Sequence, residues 1–319
     1  MTSFHFRKMA NHNSDHARSN NNRLEEELKL WKWLGDKLLG EAFNAAEIAD
    51  FEDLKRTVKK ALFDDAENLV AKTGQNTPPI NPEIVAQERK VIEIERAALD
   101  TDALIVPCKG GFLMKINNKL PVVRQRFACA HEIAHTYFFD LEKDPPSKPY
   151  RRSTSRYWVE EGMCYELGRR ILMPTEMIRT WMDNATPPYI KDFRAMMRSF
   201  FVSGELLAYR IHDLATWNVL MLIFEVSDNN NNAGNGAISL YKVLKSGDVK
   251  HVHVARRGLK VKDPVLYELL SRAFKGKKEV VEEKDLHISI GNLKREIASF
   301  GASYMGSYPP KVIAILCLR

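Results

Sequence analysis

The sequence predicts an α+β protein: a helical domain around a small sheet, then a short two-helix unit, then a second α+β domain. Three patterns predict it. Apolar residues recur at three- and four-residue steps through Phe127, Ala130, Ala134, Tyr137 and Phe138, as on one face of a helix. Short runs around Ala103 to Val106 and Phe112 to Ile116 read as strands just before it. From Trp217 onward the pattern changes again, to the apolar β run Val219 to Val226 and its successors.

Taken in order, residues 1–23 are polar, with five Asn and three His, and read as a disordered tail. Residues 24–72 read as two or more helices, with Trp31, Trp33 and Leu34 packing inward. Pro78, Pro79 and Pro82 mark a break, and Ile84 to Leu99 reads as a further helix. The stretch Asp144 to Arg156 is a polar loop long enough to border a cleft. A second helical pattern opens at Glu160 and Glu161 and ends at Pro174, with Tyr157 just before it. On this reading the first domain spans 24–186.

Pro187-Pro188 opens a helix-turn-helix-like unit over 187–217. Asp192 to Phe200 forms its first helix, and Ser203 caps a second whose apolar face carries Leu207, Ile211 and Leu214. The second helix offers only Tyr209, Arg210 and His212 for base reading, so packing or substrate docking is the expected role and direct DNA binding is left open. Residues 218–319 form the second α+β domain. An Asn-rich hairpin loop spans Ser227 to Gly236, strands cover Ile238 to Leu244 and Val249 to Ala255, a helix starts at Asp263-Pro264, and Val312 to Leu318 is the last strand.

The chemistry lies in His131-Glu132-Ile133-Ala134-His135. Residues four apart lie one turn apart on the same helix face, so both imidazoles can reach one ion while Glu132 takes a proton from water. That arrangement belongs to metallopeptidases. The flanks are apolar, and buried polar groups need partners, which a metal supplies. A catalytic site needs a third protein ligand and an open position. Glu161 is favoured because it shares a face with Cys164 and Gly168, whose missing side chain would let the two helices approach closely. Glu160 is the close alternative and Glu166 a distant one.

Two segments together resemble the ImmA/IrrE metallopeptidases. They are Arg126-Phe127-Ala-Cys-Ala-His-Glu-Ile-Ala-His135 and Glu161-Gly-Met-Cys-Tyr-Glu-Leu-Gly-Arg-Arg-Ile-Leu-Met-Pro174, and the likeness extends over roughly residues 100 to 217. The chain departs from the pattern at Tyr165, where Asn or Asp is usual, and at Arg169 and Arg170, where small residues are usual. The resemblance implies a gluzincin-like domain and a peptidase that inactivates a helix-turn-helix transcriptional repressor by a single cut. Its IrrE branch implies control of a stress response, the DNA-damage response in particular. It also implies a GAF-like sensor or interaction domain at the C-terminus.

The expected activity is that of a zinc-dependent metalloendopeptidase. His131, His135 and Glu161 bind the metal, and Glu132 is the catalytic base. Zinc suits two imidazoles and a carboxylate, and Mn2+ or Fe2+ could also occupy such a site. The rival reading is a DNA- or ligand-binding transcriptional regulator with a structural metal site.

Composition narrows the setting. The 319 residues are 45% hydrophobic and 28% charged, ordinary for soluble proteins. No apolar run reaches the ~20 residues of a membrane span, and no signal-peptide apolar region stands at the start, so no membrane partner is expected. The net charge of +7 is mild, and the short clusters Arg256 to Lys262 and Lys275 to Lys278 read as solvated surface. Cys108, Cys129, Cys164 and Cys317 form no C-x-x-C pair, which suits a reducing cytoplasm.

Overall fold

The computed structural model describes residues 23–40, 43, 50–149, 154–187, 189–227, 237–254, 257–277, 279–291, 293–306 and 310–319. Residues 1–22 of the tail expected over 1–23, the loop residues Asn229 to Asn232, Pro188, Ala255, Arg256 and Lys278 lie outside them, while Arg23 begins a helix. The chain divides into two compact units, one of residues 1–75 and 81–171, the other of residues 76–80 and 172–319. No helix among the described residues is long and apolar enough to cross a membrane.

The first unit begins with helix α1 (residues 23–39) and α2 (Phe51–Lys72). Asp50 caps α2 through the Asp53 amide, and Leu54, Val58, Leu62, Ala66 and Leu69 are buried along one face at three- and four-residue steps. A short helix α3 (Pro82–Gln87) follows. Then come β1 (Val91–Ala97), β2 (Ala103–Cys108) and β3 (Gly111–Asn117), in the order β1-β3-β2. β3 runs parallel to β1 and antiparallel to β2.

The helix expected across Ile84 to Leu99 therefore gives way to a strand. Lys90 takes a left-handed turn (φ 59°) that ends the helix, and Val91, Ile92 and Ile94 bring β-branched side chains to the strand. Gly111 makes that turn fit. A Cβ there would lie 2.0 Å from the Lys90 carbonyl oxygen, which accepts from the Phe112 amide at 2.8 Å.

β3 leads into α4 (Val122–His135), a 3-10 turn (Thr136–Phe138) and, beyond the loop, α5 (Thr154–Leu172). α5 starts earlier than expected and contains Tyr157. Two ties from α1 hold this region. Lys37 donates to the carbonyls of Tyr137 (2.8 Å) and Phe139 (2.7 Å), and burial pulls its ammonium down to about 8. Arg156 of α5 donates to the Glu26 carbonyl at 3.1 Å and pairs with the Glu26 carboxylate at 2.7 Å.

The second unit holds α6 (Thr175–Asp183), α7 (Ile190–Ser199), α8 (Gly204–Leu214) and α9 (Pro264–Lys275) around a five-stranded antiparallel sheet. Its strands are β4 (Val219–Ser227), β5 (Ala237–Ser246), β6 (Val280–Ile290), β7 (Leu293–Tyr304) and β8 (Lys311–Leu318), in the order β5-β4-β8-β7-β6. On one face Leu220, Leu222, Phe224, Val312, Ala314 and Leu316 join Leu266, Leu269 and Leu270 of α9 in one core. Met221, Ile223, Ile313 and Ile315, on the other face, are fully buried as well. Lys311 shares that second face and pairs with Glu205 of α8 at 2.9 Å. Burial on both faces is why β4 and β8 read as near-continuous apolar runs.

Two local expectations fail here. Val249 to Val254, the described part of the strand expected over Val249 to Ala255, is not a strand: Gly247–His251 forms a 3-10 turn opened by Gly247 at φ 67°. β6 and β7 were not foreseen, because Glu282, Glu283, Lys284 and Asp285 interrupt the apolar alternation on what is an edge strand, where charges discourage further pairing. The caps read from the sequence are present. Ser203 accepts from the Leu206 amide at 3.2 Å, and Asp263 from the Leu266 amide at 3.0 Å.

α7 and α8 follow one another across a short joint, yet α8 turns its polar groups into its own unit. Arg210 is fully buried and donates to the Met173 carbonyl (2.9 Å) and the Thr175 hydroxyl (2.7 Å). Tyr209 meets Lys242, and the His212 ring bonds the Lys245 carbonyl. Arg210→Ala should destabilise the second unit by about 3 kcal/mol, because it empties a buried site and strips donors from a buried carbonyl. Denaturant unfolding of the full chain checks this. A change below about 0.5 kcal/mol would show that the guanidinium is not a structural tie.

Candidate metal centre and active site

α4 and α5 build the site. Within α4, Ala128, Cys129, Ala130, Ile133 and Ala134 are buried and fix the helix, which leaves His131 and His135 half-buried one turn apart. α5 lies close against it. A Cβ on Gly168 would stand 3.2 Å from Phe127 Cε2 and 3.3 Å from the His131 amide nitrogen, so any side chain there would make Phe127 or α4 give by a few tenths of an ångström.

That approach brings Glu161 to the histidines. His131 Nε2 is 3.2 Å from His135 Nε2. The Glu161 carboxylate lies 3.3 Å from His131 Nε2 through one oxygen and 3.6 Å from His135 Nε2 through the other. These are also the three residues of the described chain whose ligand atoms gather closely enough to hold one ion. Zinc ligands at about 2.0–2.1 Å in a tetrahedron stand about 3.3–3.4 Å apart. The spacings here, taken from each histidine to a different oxygen of the Glu161 carboxylate, lie near that edge. Two imidazole nitrogens turned toward each other and toward a carboxylate make a donor set that suits a divalent ion.

Glu160 does something different from its neighbour. It is only 4% exposed and accepts from His135 Nδ1 at 2.7 Å, while Lys148 bonds the same carboxylate oxygen. Burial alone would raise its pKa, but the His135 hydrogen bond and the Lys148 charge outweigh that and hold the carboxylate below its usual range. With Nδ1 donating to Glu160, the Nε2 lone pair of His135 is free to face the site. Glu166, the distant alternative, lies away from the histidines and pairs with Lys59 at 3.1 Å.

Glu132 is 8% exposed on α4, and burial raises its pKa against the pull of His135 and His131. Glu161 is shifted the other way. The hydrogen bond with His131 lowers its pKa, burial opposes it, and the hydroxyl of Tyr157 donates to the same carboxylate. Around His131, Tyr165 lies 4.7 Å away ring to ring and stacks on Phe127 at 5.8 Å.

The structure brings the expected residues His131, His135 and Glu161 together, with Glu132 beside the histidines, whereas the sequence offered Glu160 as an alternative ligand or a helix N-terminal charge and not as a partner of His135. Sequence reasoning missed Lys148. The sole signal was that the polar loop carrying Lys148 has the length to reach the cleft.

Comparisons with known proteins find a family match over the region that holds this site. Residues 92–212 match the peptidase M78 family, described as the IrrE N-terminal-like domain. No curated protein matches the chain. Among solved structures, a Mycobacterium tuberculosis transcriptional regulator is 12% identical with a TM-score of 0.51, over 81% of this chain and 76% of that one. At that identity the likeness speaks for the fold alone, and it reaches well beyond the family match. Over residues 92–212 the chain carries an IrrE N-terminal-like, metallopeptidase-like domain.

Proposed function

We propose that the protein is a metal-dependent endopeptidase that cuts a helix-turn-helix repressor and so derepresses stress genes, those of DNA damage among them. The observation that carries the reading is the meeting of His131, His135 and Glu161 beside a buried Glu132.

In this reading His131, His135 and Glu161 hold the ion, for which zinc is the best match to the donor set. The ion, when bound, supplies Lewis acidity to the scissile carbonyl and to water. Glu132 removes the proton from the attacking water and delivers it to the leaving amine. A carboxyl lifted above its usual range by burial suits both transfers better than an ordinary one. Glu160 and Lys148 keep His135 in the tautomer whose Nε2 faces the site. Tyr157 steadies the Glu161 carboxylate.

We read the helix pair α7–α8 as a packing or substrate-docking element, which the inward commitment of Arg210 supports. We read the C-terminal sheet as a GAF-like sensor or interaction module. A partly open cleft of about 270 Å3, lined by Phe224, Leu240 and Ile290 together with Lys260, Lys262 and Asp263, supports that role. A cytoplasmic setting fits the free cysteines Cys108, Cys129, Cys164 and Cys317.

A second reading, a DNA- or ligand-binding regulator with a structural metal, draws on the likeness to the Mycobacterium tuberculosis transcriptional regulator. A structural site calls for four protein ligands, three gather among the described residues, and Glu132 would have no task. Elemental analysis of the purified protein, paired with a cleavage assay on a cognate repressor, tests the proposal. About one metal per chain with a single cut is expected. A metal-loaded protein that cuts nothing, while binding DNA at physiological salt, would favour the second reading.

A further inference from the structure

The core of the second unit is left unfilled at one place. The cleft of about 270 Å3 lies between the start of α9 and the sheet. Phe224, Leu240, Leu266 and Ile290 line it, each at most 3% exposed and each part of the core around α9. An enclosed apolar cavity of about 150 Å3 takes up a benzene ring, so the space here suits an apolar body of about eight carbons.

Main-chain bonds hold its borders. Leu259 and Val261 belong to a short segment that pairs with β5. The Leu240 amide donates to the Leu259 carbonyl at 2.9 Å, and the Val261 amide donates to the Ile238 carbonyl at 2.9 Å. Asp263 joins the start of α9 to the end of β6, accepting from the Leu266 amide at 3.0 Å and from the Ser289 amide at 2.8 Å. The cleft is therefore formed before any ligand arrives.

Its rim is unevenly charged. Lys260 and Lys262 also line the cleft and are exposed. Among the described residues neither side chain forms a hydrogen bond or an ion pair. Asp263, the acid beside them, has one carboxylate oxygen on each of two amides. What is left for a ligand is a pair of ammonium groups above an apolar floor.

We propose that this cleft binds a small monocarboxylate with an apolar body of about eight carbons, aliphatic or aromatic. The body enters between α9 and the sheet, and the carboxylate stays at the rim with Lys260 and Lys262. Buried among Phe224 and Leu266 the charge would lose its water and its counter-charges; at the rim it keeps both. The proposal rests on the reading of the C-terminal sheet as a sensor or interaction module, and it names what that module takes up.

The test uses the full chain and two acids, octanoate and phenylacetate, each beside its neutral alcohol, 1-octanol or 2-phenylethanol. Acetate stands for the head group alone. Binding is read by calorimetry. At least one acid should bind saturably, one per chain, and about fivefold or more tighter than its alcohol, with acetate too weak to measure. In the double variant Lys260→Gln, Lys262→Gln the acid should lose that advantage while the alcohol binds as before. Both positions are exposed, so the fold is kept. Val261→Phe, which enlarges a half-buried lining residue, should weaken acid and alcohol alike. Failure of both acids to bind overturns the proposal, and so does an advantage over the alcohol that survives in the double variant. Repressor cleavage with and without the tighter acid tests the sensor reading separately. Binding with no change in cleavage upholds the cleft and removes the sensor role.

Discussion

Glu132→Gln should abolish peptide cleavage, lowering the rate by about a thousandfold or more, while the metal content stays at the wild-type level. Glutamine keeps the shape of the buried side chain and its place on α4 but cannot accept a proton. His131, His135 and Glu161 are untouched, so the ion should still bind. Metal content and repressor cleavage measured on one preparation decide the matter. Near-wild-type cleavage by Glu132→Gln would sink the mechanism, since among the described residues no other buried carboxylate stands in the same relation to both histidines. Glu160 is committed to His135 and Lys148.

Glu161→Ala and Glu160→Ala should both weaken metal binding, but unequally. Removing Glu161 takes away one of three protein ligands. Removing Glu160 leaves the ligands in place and releases His135 Nδ1 from its acceptor, and losses of that kind cost about 10–100-fold in affinity. Glu161→Ala should exceed that range. Chelator competition on both variants gives the order. If Glu160→Ala proves the more damaging, Glu160 is the ligand and Glu161 the support. Lys148→Met should follow Glu160→Ala in direction, because Lys148 acts through the same carboxylate.

The part of the site that the sequence displays is the part governed by helical periodicity. His131 and His135 are four apart on an apolar helix, and that spacing needs no tertiary knowledge. Glu161 was reachable because Cys164 and Gly168 mark the face that α5 turns to α4. The role of Glu160 was not reachable. Its side chain points to the far nitrogen of His135, and which nitrogen a carboxylate meets depends on rotamers and on Lys148 from a distant loop. The fold divides the same way. β4 and β8, buried on both faces, announce themselves as apolar runs, whereas β6 carries Glu282, Glu283, Lys284 and Asp285 and hides its register. At β1, one left-handed residue, Lys90, ends a helix that the apolar spacing alone would have continued.

The contact at Gly168 works as a gauge block. The gap between α4 and α5 is set where a hydrogen stands in for a side chain, with the His131 amide 3.3 Å from the position a methyl would take. Two helical turns away along α5, Glu161 must meet His131 and His135 to within a few tenths of an ångström. Gly168→Ala touches no ligand and adds one carbon, yet it forces either Phe127 or the α4 backbone to yield. The dimension of the proposed metal centre would thereby be set at a residue that is not one of its ligands. Gly168→Ala should bind metal more weakly than wild type at nearly unchanged helix content, as chelator competition and circular dichroism together would read.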